Sequence, residues 1–257
     1  MLKIEEKNHI AYVTLNRPEL RNAFNPQMIG ELTQTFSKFS KRADLVAIVL
    51  RGEGKSFCAG ADLTWMKSMV NFSLEENKRD SHELFQMFES IDRCALPVVG
   101  QVHGHVMGGA LGLVAACDFV VAETQTQFCF SEVKLGLAPA VIGAFVLKKT
   151  TLGLVKPAML SARIFSATEA HHMGLVHEVG SQVECDQAVH NFVSAVRDCG
   201  SEAVRETKKL ISAVPDMDWS NAKIATSQVI AERRVSTEGQ EGLRAFLEKR
   251  TPSWKRS

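Results

Sequence analysis

Two short, continuous apolar runs constrain the fold of this chain most strongly. Residues 45–50 read LVAIVL and residues 97–102 read PVVGQV. Runs of this length without polar alternation are typical of strands buried on both faces, as in sheets covered by helices. Helical periodicity precedes each run, over residues 26–39 and 74–91. Further strand patterns occupy residues 10–15, 119–122 and 127–130. The order of strands and helices predicts an α/β fold.

The last quarter of the chain has a different pattern. From about residue 195 it is helical only, with charged residues on one side of the segments 203–214 and 220–247. We therefore divide the chain into a core, residues 1–194, and an appended C-terminal helical region, residues 195–257. Its closing segment, 246–250, could pack on the core, on another subunit, or remain in solvent.

Composition excludes several classes of protein. The chain has 257 residues, 45% of them hydrophobic and 23% charged, which suffices for a full core. Its formal net charge is +1 and it has no long run of like charges, so we expect no nucleic-acid partner. The six cysteines are widely spaced without a CxxC pair, and we interpret them as reduced core thiols.

The N-terminal residues and the apolar windows bear on location. Residues 1–15 show strand alternation rather than the basic start and long apolar stretch of a signal peptide. The most apolar window, 110–121, is too short to span a bilayer and contains Asp118. We expect a cytoplasmic protein without a membrane segment.

Two glycine-rich turns follow predicted strands and are the first candidates for a site. They are FCAGADL at 57–63 and GHVMGGALG at 104–112. Glycine lets a ligand approach the main chain closely, and free N–H groups at the start of a helix can hold an anion. Neither turn has the GxGxxG dinucleotide pattern in a βαβ unit or the Gly-Lys-Ser/Thr of a phosphate-binding loop. Taken alone, turns of this kind more often reflect close helix packing than catalysis.

The resemblance to a known family rests on several strings in one order. They are Asn16-Arg17-Pro18 with Arg21-Asn22-Ala23, the turn 57–63, the segment 102–109 that begins Val-His-Gly, Cys117-Asp118, SEVKLGL at 131–137, Gly174-Leu175-Val176, and Phe246 to Arg250. Together they span nearly the whole chain and resemble the enoyl-CoA hydratase/isomerase (crotonase) family. The resemblance implies a spiral core of repeated ββα units, followed by helices that build trimers or dimers of trimers.

The resemblance also implies roles for particular residues. The backbone N–H groups of Ala61 and Gly109 would form an oxyanion hole for the thioester carbonyl, and Glu132 would be the catalytic acid/base. The substrate is an acyl-coenzyme A, with no separate cofactor. The positions that would line the coenzyme A channel are Arg21, Ala23, Ala59, Asp62, Leu63, Thr64, and at the nucleotide end Phe246 and Lys249.

The chain departs from the family pattern at Gly112. Hydratases with two catalytic glutamates would carry the first of them at this position. This departure leaves the reaction type open, because a single acid favours isomerisation whereas the resemblance to one hydratase branch favours hydration. Hydration is the leading expectation, with Glu132 handling both proton transfers. The alternatives are an enoyl-CoA isomerase that uses Glu132 alone and a non-catalytic acyl-CoA-binding subunit. Loss of a side chain at 112 would either make room for a branched substrate or mark a lost activity.

Within the family, WMKSM at 65–69 and EVKLGLAPAVI at 132–142 resemble the bacterial methylglutaconyl-CoA hydratases of leucine breakdown. Such a substrate carries a distal carboxylate, for which Lys67, Arg79 and Lys148 are the candidate partners. Of the two histidines flanking the second turn, His103 and His105, the latter could hold the reacting water. The remaining candidate ligands, His171, His172 and His177, lack a carboxylate or cysteine at ligand spacing, and we predict no metal.

Overall fold

The structure is a computed structural model that describes residues 1–255. Within that range the strands are β1 Leu2–Lys7, β2 Ile10–Leu15, β3 Ala47–Gly52, β4 Val98–Val102, β5 His105–Met107, β6 Phe119–Glu123, β7 Gln127–Cys129, β8 Phe165–Ser166 and β9 Glu178–Gly180. The helices are α1 Pro26–Phe39, α2 Leu63–Met69, α3 Leu74–Asp92, α4 Ala110–Ala115, α5 Ala140–Lys149, α6 Leu152–Ser161, α7 Ala167–His172, α8 Gln182–Arg197, α9 Ser201–Ala213, α10 Trp219–Val235 and α11 Thr237–Leu247. Short 3-10 turns occupy Pro18–Leu20, Glu132–Leu135 and Val214–Asp216.

The larger sheet has the order β1-β2-β3-β4-β6-β9. Only β1 is antiparallel to its neighbour, because Asn8 and His9 form a tight turn with left-handed φ values of 51° and 64°. The continuous run at 47–50 is buried in the middle of this sheet, as predicted. The parallel strands β2, β3, β4, β6 and β9 therefore place their carboxyl ends along one edge.

A second, smaller sheet has the order β5-β7-β8. Cys58 extends it by an isolated bridge to Val106 in β5. The chain thus passes from β4 to β5, and from β6 to β7, through two or three residues before entering a helix or helical turn. This alternation confirms the predicted ββα core, and it brings both glycine-rich turns to the junction between the sheets.

The helices that cover the core begin where the sequence indicates. The side chain of Asn25 accepts a hydrogen bond from the Met28 amide and caps α1, which has Pro26 as its first residue. Ser73 and Glu76 form a capping box at the start of α3. The two helices pack on each other through the buried side chains of Phe36, Met87 and their neighbours, and together they cover one face of the larger sheet.

The C-terminal helices form a layer at the amino ends of the parallel strands. In α9, Arg205 donates to the carbonyls of Ser40 and Arg42, and Lys208 pairs with Asp118 at 2.5 Å, just before β6. The predicted boundary at residue 194 falls inside α8. The predicted helical segment 220–247 is interrupted at Ser236, whose hydroxyl caps α11.

The structure also bears on the expectations about the cysteines and about membrane-spanning helices. Five cysteines are buried, but Cys199 is exposed just after α8, so the expectation of core thiols is wrong for that residue. No helix within residues 1–255 combines the length and apolar character needed to cross a bilayer.

Candidate active site

The first glycine-rich turn is held against the segment around Phe24. Phe24 donates its amide to the Gly60 carbonyl and accepts from the Asp62 amide, both at 2.9 Å, so that Ala61 lies between two fixed neighbours. Gly60 has a φ of 91°, a conformation that residues with a side chain rarely adopt. A Cβ atom there would also lie 2.7 Å from the Met107 carbonyl oxygen. Glycine at position 60 is therefore required by the close approach of the two turns.

A buried ion pair fixes the far side of this turn. Arg17 donates to the Asp62 carboxylate at 2.7 Å and to the Ala23 carbonyl at 2.6 Å. The same carboxylate caps α2 by accepting from the Thr64 and Trp65 amides. Burial opposes ionisation of Asp62, but the hydrogen bonds from Arg17 and these amides hold its pKa below the usual value of 3.8. The role of Arg17 was not predicted, because its partner is 45 residues away in the sequence.

The second turn leads directly into α4. Gly108 has a φ of 52° and donates its amide to the Cys129 carbonyl at 2.8 Å. A Cβ atom on Gly109 would lie 2.5 Å from Cζ of Phe24, and one on Gly60 would lie 3.8 Å from the Gly109 nitrogen. The two turns therefore adjoin, with the Phe24 ring packed beneath the second.

The amides of Ala61 and Gly109 are the donors that the site leaves available. Within residues 1–255, neither amide donates a hydrogen bond to a protein acceptor, although the neighbouring amides of Gly60, Asp62 and Gly108 all do. Buried or partly buried N–H groups are rarely left without a partner in folded proteins. Two such groups on adjoining turns can donate to one shared oxygen atom that gains negative charge.

Glu132 places a carboxyl group beside these turns. It begins the short 3-10 turn, and its Oε1 atom lies 3.6 Å from the position of a Cβ on Gly108. Its Oε2 atom is buried and has no hydrogen-bond partner within the described chain. Burial raises the pKa of Glu132 above the usual value of 4.5. A carboxyl group whose pKa is raised in this direction is suited to act as a general acid and base.

Gly112 is packed rather than open. It lies one helical turn after Gly109 on α4, and a Cβ atom there would be 2.6 Å from Cζ of Phe88 and 2.8 Å from Cγ2 of Ile142. Phe88 is fully buried and its ring packs edge-on against Phe145 at 5.6 Å. The space immediately around a Cβ at 112 is thus filled by Phe88 and Ile142, so the absence of a side chain at this position leaves no open space there.

The predicted coenzyme A positions near the turns do lie together. The Ala59 amide donates to the Arg21 carbonyl at 2.9 Å, and Arg21 is exposed. Leu63 and Thr64 are exposed on α2, directly after Ala61, whereas the side chain of Asp62 is committed to Arg17. These residues form an accessible rim beside the free Ala61 amide.

Phe246 and Lys249 are not part of that rim within one chain. Phe246 is 82% exposed on α11. This helix belongs to the layer at the amino ends of the strands, whereas the glycine turns follow their carboxyl ends. Their contact with the nucleotide end of coenzyme A stays a prediction.

The other candidate side chains have ordinary surroundings. Three predicted cation partners, Lys67, Arg79 and Lys148, are exposed. The histidines beside the second turn bind locally: His103 contacts the Gly54 carbonyl and His105 lies 3.3 Å from the Ser56 hydroxyl. Those near α7 do the same, since His171 contacts the Val176 carbonyl and His177 accepts from the Val120 amide, while His172 is exposed.

Comparison with known proteins agrees with this geometry. The enoyl-CoA hydratase/isomerase family model matches residues 5–257. This chain belongs to that family.

A Thermus thermophilus protein provisionally named enoyl-CoA hydratase is 32% identical over 247 residues, covering 96% of this chain and 98% of the relative. A short-chain-enoyl-CoA hydratase of Clostridium acetobutylicum is 27% identical, covering 96% of this chain and 94% of its own. The crystal structure of a Shewanella pealeana enoyl-CoA hydratase superposes with a TM-score of 0.94 at 35% identity, covering 98% and 95% of the two chains. The fold is that of the crotonases.

Proposed function

We propose that this enzyme is a lyase that adds water to a 2-enoyl-CoA, or removes it from the 3-hydroxyacyl-CoA. One observation carries the proposal: two unpaired backbone amides on adjoining turns lie beside a buried carboxyl group whose Oε2 atom has no partner. The thioester carbonyl oxygen would accept from the Ala61 and Gly109 amides, which stabilise its negative charge as an enolate develops. Removing one donor of this type typically costs about 3 kcal/mol of transition-state stabilisation.

Glu132 would serve both proton transfers. Its carboxylate takes a proton from water while the water oxygen bonds to Cβ, and the electron pair of the double bond moves through Cα to the thioester oxygen. The enolate then returns its electron pair to Cα, which takes the same proton from Glu132. The carboxylate is regenerated and one water has been added across the double bond. The raised pKa of Glu132 favours the second step, because the protonated carboxyl is stable in the buried site.

For the acyl group we propose a short or branched chain such as 3-methylglutaconyl. The support is the resemblance of the segments 65–69 and 132–142 to hydratases of that substrate, and the likeness to a short-chain relative. The first segment lies on α2 and the second follows Glu132, so both adjoin the reacting groups. The rim residues Arg21, Leu63 and Thr64 would contact coenzyme A.

Isomerisation is the second candidate, and the packing at Gly112 favours it. Phe88 and Ile142 crowd the position of a side chain at 112, and Asp62 is committed to Arg17. Glu132 is then the acid beside the second turn with an unpartnered oxygen among residues 1–255. Moving a double bond requires one base, which removes a proton from Cα of a 3-enoyl-CoA and returns it to Cγ. No water enters the product, so the two reactions differ in their oxygen content.

The test is incubation with crotonyl-CoA and with 3-methylglutaconyl-CoA in oxygen-18 water, followed by mass spectrometry. Labelled 3-hydroxyacyl-CoA would establish hydration, and the faster substrate would define the acyl preference. Absence of label from both, with conversion of a 3-enoyl-CoA to its 2-enoyl isomer, would establish the isomerase instead. Absence of any turnover would favour a non-catalytic acyl-CoA-binding subunit.

The matched variant is Glu132→Gln, which keeps the shape of the side chain and removes the ionisable carboxyl group. We expect it to lower kcat by about 10²–10⁴-fold, the usual contribution of a general acid/base, while coenzyme A binding is retained. Substantial turnover in this variant would contradict the role of Glu132 in either reaction.

We also propose a homotrimer or a dimer of trimers located in the cytoplasm. The C-terminal helical layer carries large apolar side chains in solvent, including Ile211, Trp219, Ile224, Val235, Phe246 and Leu247. Exposed apolar surface of this kind is typical of a subunit interface. Light scattering coupled to size-exclusion chromatography tests the assembly, and a monomer at micromolar concentration would contradict it.

A further inference from the structure

Lys149, the last residue of α5, sends its ammonium group into the protein rather than into solvent. The Nζ atom donates to the carbonyl of Cys117 and lies 3.5 Å from the carbonyl of Val114. Both carbonyls belong to the C-terminal end of α4 and the residues just after it. Burial lowers the pKa of Lys149 from its usual value of 10.5, because an ammonium removed from water is less stable than the neutral amine.

The helix that Lys149 binds is short and has few polar anchors. Its six residues, Ala110–Ala115, are all buried and apolar or glycine, and its first turn has no side-chain cap within the described chain. At the other end the Cys117 thiol donates to the Leu113 carbonyl at 3.2 Å, beside the bonds from Lys149. The helix is therefore about 9 Å long. The residue before it is Gly109, whose amide is one of the two free donors of the site.

Asp118, the residue after Cys117, connects this region to its surroundings. It accepts from the Val98 amide and pairs with Lys208 of α9. The carboxyl end of α4 is thus tied to the core sheet and to the C-terminal layer. The Lys149 ammonium is itself hydrogen-bonded to the two carbonyls, which offsets part of the cost of removing it from water.

We infer that Lys149 is a positioning residue for the oxyanion hole. By holding the carbonyls at one end of α4, it fixes where the other end of that helix places the Gly109 amide. This inference rests on the proposed function, in which that amide donates to the thioester oxygen. Displacements of about 1 Å caused by residues distant from the chemistry can lower a rate about 10²-fold.

The experiment compares Lys149→Met with Lys38→Met. Lys38 is an exposed lysine in the last turn of α1 and serves as the matched control. We would measure kcat and KM with crotonyl-CoA, and the infrared stretching frequency of the thioester carbonyl in bound butyryl-CoA, which is saturated and cannot react. A carbonyl that accepts strong hydrogen bonds absorbs at lower frequency than the same thioester free in buffer.

We expect Lys149→Met to lower kcat about 10- to 100-fold with little change in KM, and to lose much of the downshift of the carbonyl frequency. Lys38→Met should match the wild type in all three quantities. A loss of thermal stability alone, with kcat and carbonyl frequency unchanged, would overturn the inference, because a merely structural lysine predicts that result. If the wild type itself shows no downshift, the proposed oxyanion hole fails, which is a separate outcome.

A second variant covers the case in which Lys149→Met does not fold. Lys149→Gln is neutral and retains a donor of hydrogen bonds on a shorter side chain. We expect it to show a carbonyl frequency between that of the wild type and that of free butyryl-CoA, with a proportionate loss of kcat. Wild-type frequency and kcat in a folded Lys149→Gln protein would likewise overturn the inference.

Discussion

Phe88 fills the space into which a side chain at Gly112 would extend, with its Cζ atom 2.6 Å from the position of a Cβ there. The contact joins the middle of α4 to α3, two helices that are 24 residues apart at these positions when counted along the printed sequence. Both partners are fully buried, and Ile142 closes the third side at 2.8 Å.

We therefore expect Gly112→Ala to destabilise the protein by about 1–3 kcal/mol, the usual cost of overpacking a full core. Gly112→Glu should be worse and should not raise hydratase activity. The pair Gly112→Glu with Phe88→Ala offers the volume that the carboxyl group needs, so it should be more stable than Gly112→Glu alone. Urea unfolding of the three variants checks this, and equal stability of the single and double glutamate variants would contradict it.

The raised pKa of Glu132 predicts how stability depends on pH. Below pH 4.5 the carboxyl is protonated in both the folded and unfolded states, so its ionisation does not lower the free energy of unfolding. As pH rises through the folded-state pKa, the buried group ionises and the folded state loses stability relative to a neutral side chain. Ligand-free Glu132→Gln should therefore be more stable than the wild type at pH 8, with the difference vanishing near pH 4. Thermal melts at both pH values measure this difference, with exposed Glu19→Gln as control. An equal stability difference between Glu132→Gln and the wild type at pH 4 and pH 8 would contradict the prediction.

Gly109→Ala tests how tightly the second turn is packed. The added Cβ atom would lie 2.5 Å from Cζ of the buried Phe24, so either the ring or the turn must move. We expect a loss of about 1–3 kcal/mol in the free energy of unfolding, together with a lower kcat. Gly30→Ala is the control, because a Cβ there meets nothing within 4 Å and α1 should gain about 0.5–1 kcal/mol. An unchanged free energy of unfolding in Gly109→Ala would mean that the Phe24 ring can move away from the added Cβ atom at little cost.

The Arg17 to Asp62 pair predicts a cost for removing the cation. Their side chains are only 12% and 8% exposed, so Arg17→Met would leave a buried carboxylate unpaired next to the Ala61 amide. The expected loss is about 3 kcal/mol of stability, with reduced kcat as the first turn loosens. Arg93→Met removes an exposed pair with Glu89 and should change stability by less than about 1 kcal/mol. Denaturant titration and steady-state kinetics measure the stability and kcat of the two variants. Equal losses in Arg17→Met and Arg93→Met would contradict the prediction.

Sequence patterns predicted the parts of the fold that depend on neighbouring residues. The apolar run at 47–50 formed a buried central strand, and Asn25 with Pro26 marked the start of α1. The break between α10 and α11 was missed because the helical pattern continues through Ser236, where the hydroxyl and Gly239 permit a sharp change of direction. A Cβ atom on Gly239 would lie 1.8 Å from the Arg233 carbonyl oxygen.

The site was predictable to a lesser degree. Glycine content and family resemblance pointed to the two turns and to Glu132, and the structure brings these together. The contact of Phe88 with Gly112 and the bond of Lys149 to Cys117 could not be predicted, because they depend on how α3, α4 and α5 pack in three dimensions. Periodicity identifies Phe88 as a core residue but does not say which helix it touches.

The two free donors of the site belong to the main chain, and this affects how the protein can change by mutation. Of the twenty encoded residues only proline lacks the N–H group, so nearly every codon change at Ala61 preserves the number of donors. Such changes would alter the size and polarity of the wall beside the thioester while the charge-stabilising group stays in place. Mutation of Ala61 can therefore change substrate preference while the N–H donor is kept. Mutation of Glu132, in contrast, removes the carboxyl group itself.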